Sequence, residues 1–202
     1  MKNSQMQRDG MREPRQERSR YKVQLILEAT MRLLEKEGID ALTTNAVAAS
    51  AGVSIGTLYQ FFPNKEAILD TLADHEIAEM SNRVAMVMED ETIATTEERI
   101  AAIVNAVAAS YGKRHAAHRH VMAHSLRRGG NRLSPLLARL VTHLTQERQA
   151  GAIRHAISEA DAFVLAHAFA GVLRATISDS EHSPQQDDVA QGLARLVINF
   201  LR

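Results

Sequence analysis

The spacing of small and apolar residues after Thr44 most constrains what this 202-residue chain can fold into. Counted from Thr44 as the N-cap of a short helix, Ala48 is fifth, Gly52 ninth and Leu58 fifteenth. A small residue at position 48 lets a second helix cross close to the first. Glycine at position 52 allows the positive φ of a sharp turn. The spacing therefore predicts a helix-turn-helix, with Leu58 in the small core between the two helices.

The start of the second short helix has the composition of a surface that approaches DNA. Ser54 is a capping residue, and Gly56 and Thr57 place a bare backbone and a hydroxyl in the first turn. A helix that enters the major groove by its N-terminus needs small and polar residues there. No acidic residue occurs in the segment 41–65, so carboxylates do not repel phosphates. The alternative for Thr57 and Tyr59 is an ordinary solvated helix face.

Residues 20–70 resemble the TetR (tetracycline-repressor-type) family of regulators in four motifs. These are Glu-Gly-Ile, Thr-Thr, Ala-Gly-Val-Ser-Ile-Gly-Thr-Leu-Tyr and Phe-Pro-Asn-Lys-Glu, which begin at residues 37, 43, 51 and 62. Beyond residue 70 the resemblance rests on helix count and on Gly-Ala-Ile-Arg at 151–154. The resemblance implies a DNA-binding head, a ligand-binding and dimerisation region, and a regulatory function.

The resemblance also implies roles for individual residues of the head. Phosphates would be held by Thr44, Tyr59 and Lys65. Base edges would be faced by Ile55, Gly56, Thr57, Gln60 and Phe61, in a helix that Ser54 begins. Gln60 is the residue best suited to read adenine. Phe61 is either exposed beside a thymine methyl or half-buried, whereas Phe62 is expected to pack in the core.

Hydrophobic periodicity and helix-start signals predict an all-α protein of nine helices, in which a long fourth helix joins the head to a C-terminal bundle. Capping boxes are expected at Thr95/Glu98 and Ser183/Gln186. Ser134-Pro135 and Ser158 followed by Asp161 indicate two further helix starts. The predicted helices cover about residues 20–37, 44–51, 54–61, 65–89, 96–112, 114–127, 135–150, 159–177 and 185–201, and Gly38 is expected to end the first of them as a left-handed cap. The predicted domains are a disordered basic arm (1–19), a helix-turn-helix domain (20–66) and a ligand-binding and dimerisation domain (67–202).

The last two predicted helices are expected to form a homodimer interface. The resemblance implies a four-helix interface between subunits, and the sequence supports it independently. The eighth helix is apolar almost all round, and the ninth has one apolar stripe, so both have more apolar surface than one small subunit buries. The predicted interface residues are Phe163, Phe169, Leu173, Leu193, Leu196, Val197 and Phe200.

Helices five to seven are then expected to enclose a cavity for a small-molecule effector. The candidate lining residues are Val104, Val107, Tyr111, His118, Met122 and Phe169. The alternative is that they are ordinary core residues, which is the better interpretation for most of the apolar ones. The predicted sixth helix is rich in histidine, and His120 and His124 have the i, i+4 spacing of a metal-binding pair. No acidic residue lies in that helix to complete a metal site, so no metal site is predicted. The alternatives are that the histidines form a polar wall of the effector pocket or that they have an ordinary surface or packing role.

Composition excludes several other classes of protein. There is no cysteine, so disulfides and thiol nucleophiles are ruled out. The charged N-terminus lacks the apolar run of a signal peptide, and no stretch is long enough to span a bilayer, which predicts a cytoplasmic protein. The formal net charge is +0, but basic residues concentrate in the first 27 residues.

The sequence therefore predicts a sequence-specific transcriptional regulator that acts without a cofactor and is not an enzyme. Its expected partners are palindromic operator DNA, a second copy of the chain and a small-molecule effector, which would release a repressor from DNA. The alternatives are a histidine-based metal-dependent enzyme and an architectural DNA-binding protein without an effector.

Overall fold

Helices are the only regular secondary structure in the described part of the chain. The computed structural model describes residues 13–108, 115–128, 132, 135–140, 142, 158–178 and 185–201. Within these residues there are nine helices and no strand, which confirms the all-α prediction. The helices are α1 (Glu13–Glu37), α2 (Thr44–Ala51), α3 (Ile55–Phe61), α4 (Lys65–Glu89), α5 (Thr96–Ala108), α6 (His115–Arg127), α7 (135–140), α8 (Glu159–Ser178) and α9 (Gln186–Leu201).

Helix α1 begins earlier than the sequence predicted. It starts at Glu13 rather than near Arg20, so the prediction that residues 13–19 belong to a disordered arm is wrong. Pro14 lies in the first turn, where its missing N–H breaks no helical hydrogen bond. The arginines and glutamates that follow are good helix formers. The rest of the predicted arm, residues 1–12, lies outside the described residues.

The chain divides into two compact units, and the first contains the helix-turn-helix. It comprises Met1–Leu72 and Arg114–His120. Its core contains the fully buried side chains of Ile26, Leu34, Leu42, Val47, Leu58 and Ile68. The glycine after α1, Gly38, has a φ of 77°, which confirms the predicted left-handed cap. The backbone N–H of Ala117 donates to Glu35 Oε2 over 2.8 Å, so a carboxylate of α1 binds the first turn of α6.

The second unit, Ala73–Lys113 and Val121–Arg202, has its own apolar core. The core is built from α4, α5, α7, α8 and α9, and its buried residues are Met80, Val84, Ile103, Val104, Val107, Leu136, Leu140, Phe169 and Leu193. The border between the units falls at residues 72 and 73, inside α4. The functional division predicted at residues 66 and 67 stays a prediction.

Polar contacts close the ends of the helices in the second unit. The capping box at Thr95 is confirmed, since Thr95 N–H donates to Glu98 Oε2 over 3.2 Å and Glu98 N–H donates to Thr95 Oγ1 over 3.1 Å. The helix start predicted at Ser158 is confirmed too, and Ser158 Oγ and N–H donate to Asp161 Oδ2 over 2.7 and 2.9 Å. These two hydrogen bonds hold the pKa of Asp161 below its ordinary value. Ser183, in the second predicted box, lies outside the described residues.

A guanidinium group that the sequence analysis did not single out closes the C-terminal end of α4. Arg99 Nη1 donates to the carbonyls of Val87, Met88 and Asp90, each over 3.0 Å, and Nη2 donates to that of Ile93 over 3.0 Å. The last carbonyls of a helix have no partner within the helix, so a cation there satisfies acceptors and complements the helix dipole. Arg99 therefore connects α5 to the end of α4.

Candidate nucleic-acid interface

The turn between α2 and α3 has the geometry that the glycine predicted. Gly52 has a φ of 67° and a ψ of 30°. Its N–H donates to the carbonyl of Ala49 over 3.2 Å, and Val53 N–H donates to that of Ala48 over 3.0 Å. These two bonds form a Schellman motif, which ends α2 and redirects the chain into α3.

The two short helices are held by a small apolar core. Val47 and Leu58 are fully buried, and Ala48 and Phe62 are 4% and 5% exposed. Phe62 therefore packs in the core, as predicted, and it leaves the opposite face of α3 to solvent. The orientation of α3 is thus decided by Leu58 and Phe62 on its inner side.

Adjacent threonines at the start of α2 have different roles. The N-cap is Thr43, whose Oγ1 accepts the N–H of Ala46 over 3.1 Å, so the prediction that Thr44 is the cap is wrong. Thr44 Oγ1 instead lies 3.2 Å from the hydroxyl oxygen of Tyr59 in α3. Two side chains predicted to hold phosphate are therefore neighbours, although 15 positions separate them in the sequence. Tyr59 is 52% exposed.

The first turn of α3 is capped as predicted. Ser54 Oγ accepts the N–H of Thr57 over 3.1 Å and lies 2.9 Å from Thr57 Oγ1. The hydroxyls of both residues therefore bind each other in the free protein. Gly56 is exposed, and a Cβ added there would meet only Ser54 Oγ, at 4.0 Å. Glycine is thus not required at position 56 by the packing of the subunit itself.

The remaining candidates of α3 differ in exposure. Ile55 is 38% exposed, and Gln60 is exposed. Phe61 is half-buried, which decides between its two predicted environments. The exposed face therefore presents a β-branched apolar residue, a bare backbone and an amide. Apolar and amide groups of this kind contact thymine methyls and adenine edges.

Lys65 lies at the first residue of α4, after a cap by Asn64. Asn64 Oδ1 accepts the N–H of Ala67 over 2.9 Å. The ammonium of Lys65 donates to the carbonyl oxygen of Leu42 over 3.2 Å, and the side chain is half-buried. An ammonium has three N–H donors, so this bond leaves donors for a phosphate. The contact with Leu42 also fixes the charge beside the start of α2.

One contact of the head was not found by sequence reasoning. Arg32 in α1 donates from Nη2 to the backbone carbonyl of Ser50 over 3.1 Å, at the end of α2. Its Nη1 also lies 3.7 Å from Glu28 Oε1, one helical turn earlier. The i, i+4 pair is visible in the sequence, but the carbonyl partner is decided by how α1 and α2 pack.

The effector candidates are divided between different parts of the structure. Val104, Val107 and Phe169 are buried in the apolar core of the second unit. Met122 packs in a smaller cluster with Ile77. His118 belongs to the first compact unit and is half-buried, and Tyr111 lies outside the described residues. In the described part of the chain, no group of three or more His, Asp or Glu side chains could hold a metal ion.

The candidate interface residues of α8 and α9 separate into two sets. Phe163, Leu196 and Phe200 are 56%, 53% and 48% exposed, as an interface in a single subunit must be. The prediction is wrong for Phe169, Leu193 and Val197, which are 6%, 6% and 8% exposed inside the subunit's own core. Two faces of an apolar helix look alike in sequence, and packing decides which one is covered. Nothing is described of the Leu173 side chain.

Exposed apolar surface at the candidate interface includes one more residue and one ordered contact. Val164 is 55% exposed beside Phe163. The ring of His167 stacks on that of Phe163, with a centroid separation of 3.9 Å, and His167 Nδ1 lies 2.8 Å from the carbonyl oxygen of Phe163. In the described residues, no helix is long and apolar enough to cross a membrane.

Comparison with known proteins connects this geometry to a family. Residues 26–72 match the family model of bacterial regulatory proteins, tetR family. The transcriptional repressor KstR of Rhodococcus jostii is 40% identical over 58 residues, which cover 29% of this chain and 27% of KstR. The nucleoid occlusion factor SlmA of Vibrio campbellii is 29% identical over 126 residues, or 60% of this chain and 63% of SlmA. This chain thus aligns with about a quarter of KstR and less than two thirds of SlmA.

The fold extends well beyond the matched segment. The transcriptional regulator FadR of Bacillus subtilis, in complex with stearoyl-CoA, has a TM-score of 0.68 to this chain at 19% identity. The alignment covers 89% of this chain and 99% of that one. At this identity the likeness establishes the all-helical fold.

Proposed function

Because residues 26–72 match the family model of bacterial regulatory proteins, tetR family, we propose that the chain is a cytoplasmic transcriptional repressor. It binds a palindromic operator as a homodimer and releases the DNA when a small molecule binds. The observation that carries the proposal is the exposed pair of hydroxyls of Thr44 and Tyr59, 3.2 Å apart on α2 and α3. Both lie in a segment without carboxylates, beside the exposed N-terminal turn of α3.

In this proposal α3 enters the major groove and its flanks bind the DNA backbone. Tyr59 and Thr44 donate to one phosphate, and Lys65, held against the carbonyl of Leu42, binds a second. Ile55, Gly56 and Gln60 face the base pairs. Phosphate contacts position the protein, whereas the base contacts select the sequence.

The test begins by selecting bound duplexes from a random DNA pool and measuring affinity for the selected site. Tyr59→Phe and Lys65→Ala should weaken binding to all sequences alike, and Lys65→Ala should flatten the salt dependence by about one unit of slope per subunit. Gln60→Ala should instead relax the preference at one base pair, which costs about 1–3 kcal/mol of discrimination. Equal loss of sequence preference in all three variants would contradict this division of roles.

The proposed dimer interface consists of α8 and α9 from two copies of the chain. Phe163, Val164, Leu196 and Phe200 are each about half exposed in the single subunit. Pairing these helices with their copies buries the four side chains in a four-helix arrangement. A two-fold dimer then requires a palindromic operator, because each head binds one half-site.

The proposed effector is a mostly apolar small molecule with a polar group, bound among α5–α7. Support comes from the apolar side chains of Val104, Val107 and Phe169 in the second unit, and from the structurally similar FadR, which was solved with stearoyl-CoA. Helix α4 contributes residues to both units, so a ligand that displaces its second half changes the head that binds DNA. A coupling of about 1–3 kcal/mol, or roughly 5- to 150-fold in affinity, is usual for such switches.

Stearoyl-CoA is the first probe for this effector class, with free CoA and stearate as controls. We expect it to release the selected duplex in a fluorescence-anisotropy titration. Met122→Trp should abolish the release and leave the affinity for DNA near normal. Val107→Trp is less selective, since Val107 is 1% exposed in a packed core, and overpacking costs about 1–3 kcal/mol. Normal release of Met122→Trp would place the effector elsewhere.

A second candidate function is DNA binding without an effector. The match to the nucleoid occlusion factor SlmA extends over 60% of this chain, well past the head. An effector-free protein would bind selected duplexes as tightly as the repressor does. Its affinity would not change with any member of an acyl-CoA panel, which separates the two candidates.

A further inference from the structure

The N-terminal part of α1 extends past the packed head and is basic. Among the described side chains of α1, the first buried one is Ile26. In the segment 16–25, Ser19, Val23 and Leu25 are half-buried and the other side chains are exposed. Residues 13–25 nevertheless form regular helix. At 1.5 Å per residue they span about 20 Å. A helical segment with so few covered side chains gains little stability from packing.

The charge of this segment differs from that of the rest of the chain. Residues 1–22 contain seven basic and three acidic residues, whereas the whole chain has a formal net charge of +0. The remaining 180 residues are therefore net negative. Arg15, Arg18 and Lys22 follow each other at i, i+3 and i+7, which places them on one face of α1. Arg18 and Lys22 are exposed, and Tyr21 beside them is 63% exposed.

From these observations we propose that this basic face of α1 is a second DNA-binding surface, which contacts phosphates of the duplex outside the half-site that α3 reads. The inference rests on the proposed function, because it takes DNA as the partner of the head. Arg15, Arg18 and Lys22 bind phosphates through charge, and the Tyr21 hydroxyl donates a hydrogen bond. The segment and the helix-turn-helix belong to the same compact unit, so DNA bound by α3 is the nearest polyanion.

The expected energetic signature is electrostatic and independent of sequence. Each phosphate contact contributes about 0.9 to the slope of log affinity against log salt. Three contacts per subunit therefore contribute a slope of about 2.7, which corresponds to roughly a 40-fold change between 50 and 200 mM salt. Loss of these contacts should not change which sequence is selected, because phosphates carry no base identity.

The test compares two duplexes and three variants of the full chain. One duplex is the selected operator alone, and the other carries about ten more base pairs of mixed sequence, roughly one helical turn, at each end. The first variant is R15Q/R18Q/K22Q, which removes the charges and keeps good helix formers. The second, E13Q/E17Q, removes acidic residues from the same segment. The control, K36Q/R119Q/R127Q, removes three basic residues from elsewhere in α1 and from α6.

On the extended duplex, R15Q/R18Q/K22Q should bind more weakly than the wild type, with a salt slope smaller by about 2–3 per bound subunit. E13Q/E17Q should bind more tightly, and the control should match the wild type. On the operator alone, all four proteins should bind alike. The inference would be overturned if R15Q/R18Q/K22Q had the affinity and salt slope of the wild type on the extended duplex. It would also be overturned if this variant lost the same amount of affinity on both duplexes.

The same experiment distinguishes failure of the inference from failure of the proposed function. If the wild type selects no sequence from the random pool, the proposed function fails. A duplex of mixed sequence without an operator then still reports on the basic face of α1, because phosphate contacts carry no base identity. If the wild type selects a site and the variants match it on both duplexes, the function stands and the inference fails.

Discussion

Substitution of Gly56 by alanine separates stability from DNA binding in one residue. Gly56 is the second residue of α3, and its φ is not in the left-handed region, since Gly38 and Gly52 are the glycines with positive φ among the described residues. An added Cβ would meet only Ser54 Oγ, at 4.0 Å, which is an ordinary van der Waals distance. The subunit itself therefore accepts alanine without strain.

The expected effect on folding is a small gain. Glycine within a helix is less stable than alanine by about 0.5–1 kcal/mol, and a first-turn position should give the lower value. For a chain of this length, about 0.5 kcal/mol raises the melting temperature by roughly 1–2 °C. Differential scanning calorimetry or thermal denaturation followed by circular dichroism measures this shift.

The expected effect on DNA binding is a loss. The methyl group would extend from the exposed face of α3, where the proposal places base edges. Moving α3 outward by even a few tenths of an ångström weakens contacts worth about 1–3 kcal/mol, or roughly 5- to 150-fold in affinity. Fluorescence anisotropy with the selected duplex measures the change.

Gly52→Ala is the contrasting control in the same motif. A Cβ at position 52 meets nothing within 4 Å, but the φ of 67° is strained for any residue with a side chain. This variant should lose about 1–2 kcal/mol of stability. If Gly56→Ala binds the selected duplex as tightly as the wild type, α3 does not approach the bases at position 56. If it melts below the wild type, the local geometry argued for α3 is wrong.

Three further predictions concern the second unit. Leu196→Asp should be a monomer in light scattering and should lose operator binding, because an unpaired carboxylate in an apolar interface costs several kcal/mol. A Leu196→Asp protein that remains a dimer and binds the operator with normal affinity would show that the interface lies elsewhere. Arg99→Gln should lower the free energy of unfolding by at least about 2 kcal/mol, because four carbonyls lose a cationic donor. Arg139→Gln is the exposed control and should change the free energy of unfolding little. A melting temperature of Arg99→Gln equal to that of the wild type would contradict this prediction. Ser158→Ala should raise the pKa of Asp161, which NMR titration measures, and an unchanged pKa would refute the role of the Ser158 hydroxyl. Because the pKa of Asp161 is lowered in the folded protein, the carboxylate contributes to stability at a pH above its ordinary pKa. This contribution disappears as the pH falls through the lowered pKa.

Local signals in the sequence determined most helix boundaries and turns. Gly52 and Gly38 predicted left-handed residues because other side chains are strained there, and both have positive φ. Ser54 predicted the start of α3, and Thr95 with Glu98 predicted that of α5, because the donors and acceptors of a cap lie within four residues. Interactions of this range do not depend on the rest of the fold.

Other features were decided only by tertiary structure. Thr43 and Thr44 are both suitable caps, and the extended backbone at Thr43, with a φ of −127°, makes it the cap and frees Thr44 to meet Tyr59. The carbonyl partner of Arg32 likewise follows from the packing of α1 on α2.

The clearest case is the apolar surface of α8 and α9. Phe163 and Phe169 lie on one helix, are the same residue type and were both predicted to be interface, yet one is 56% and the other 6% exposed. Periodicity identifies apolar residues on a helix that is apolar almost all round, but it does not say which of them the subunit covers. That choice depends on where α4, α5, α7 and α9 pack, since the hydrophobic effect has no preferred direction and buries whichever face neighbouring helices reach. The sequence by itself determined that these two helices have more apolar surface than the helices of one subunit cover. The tertiary structure decided which part of that surface remains exposed for a partner.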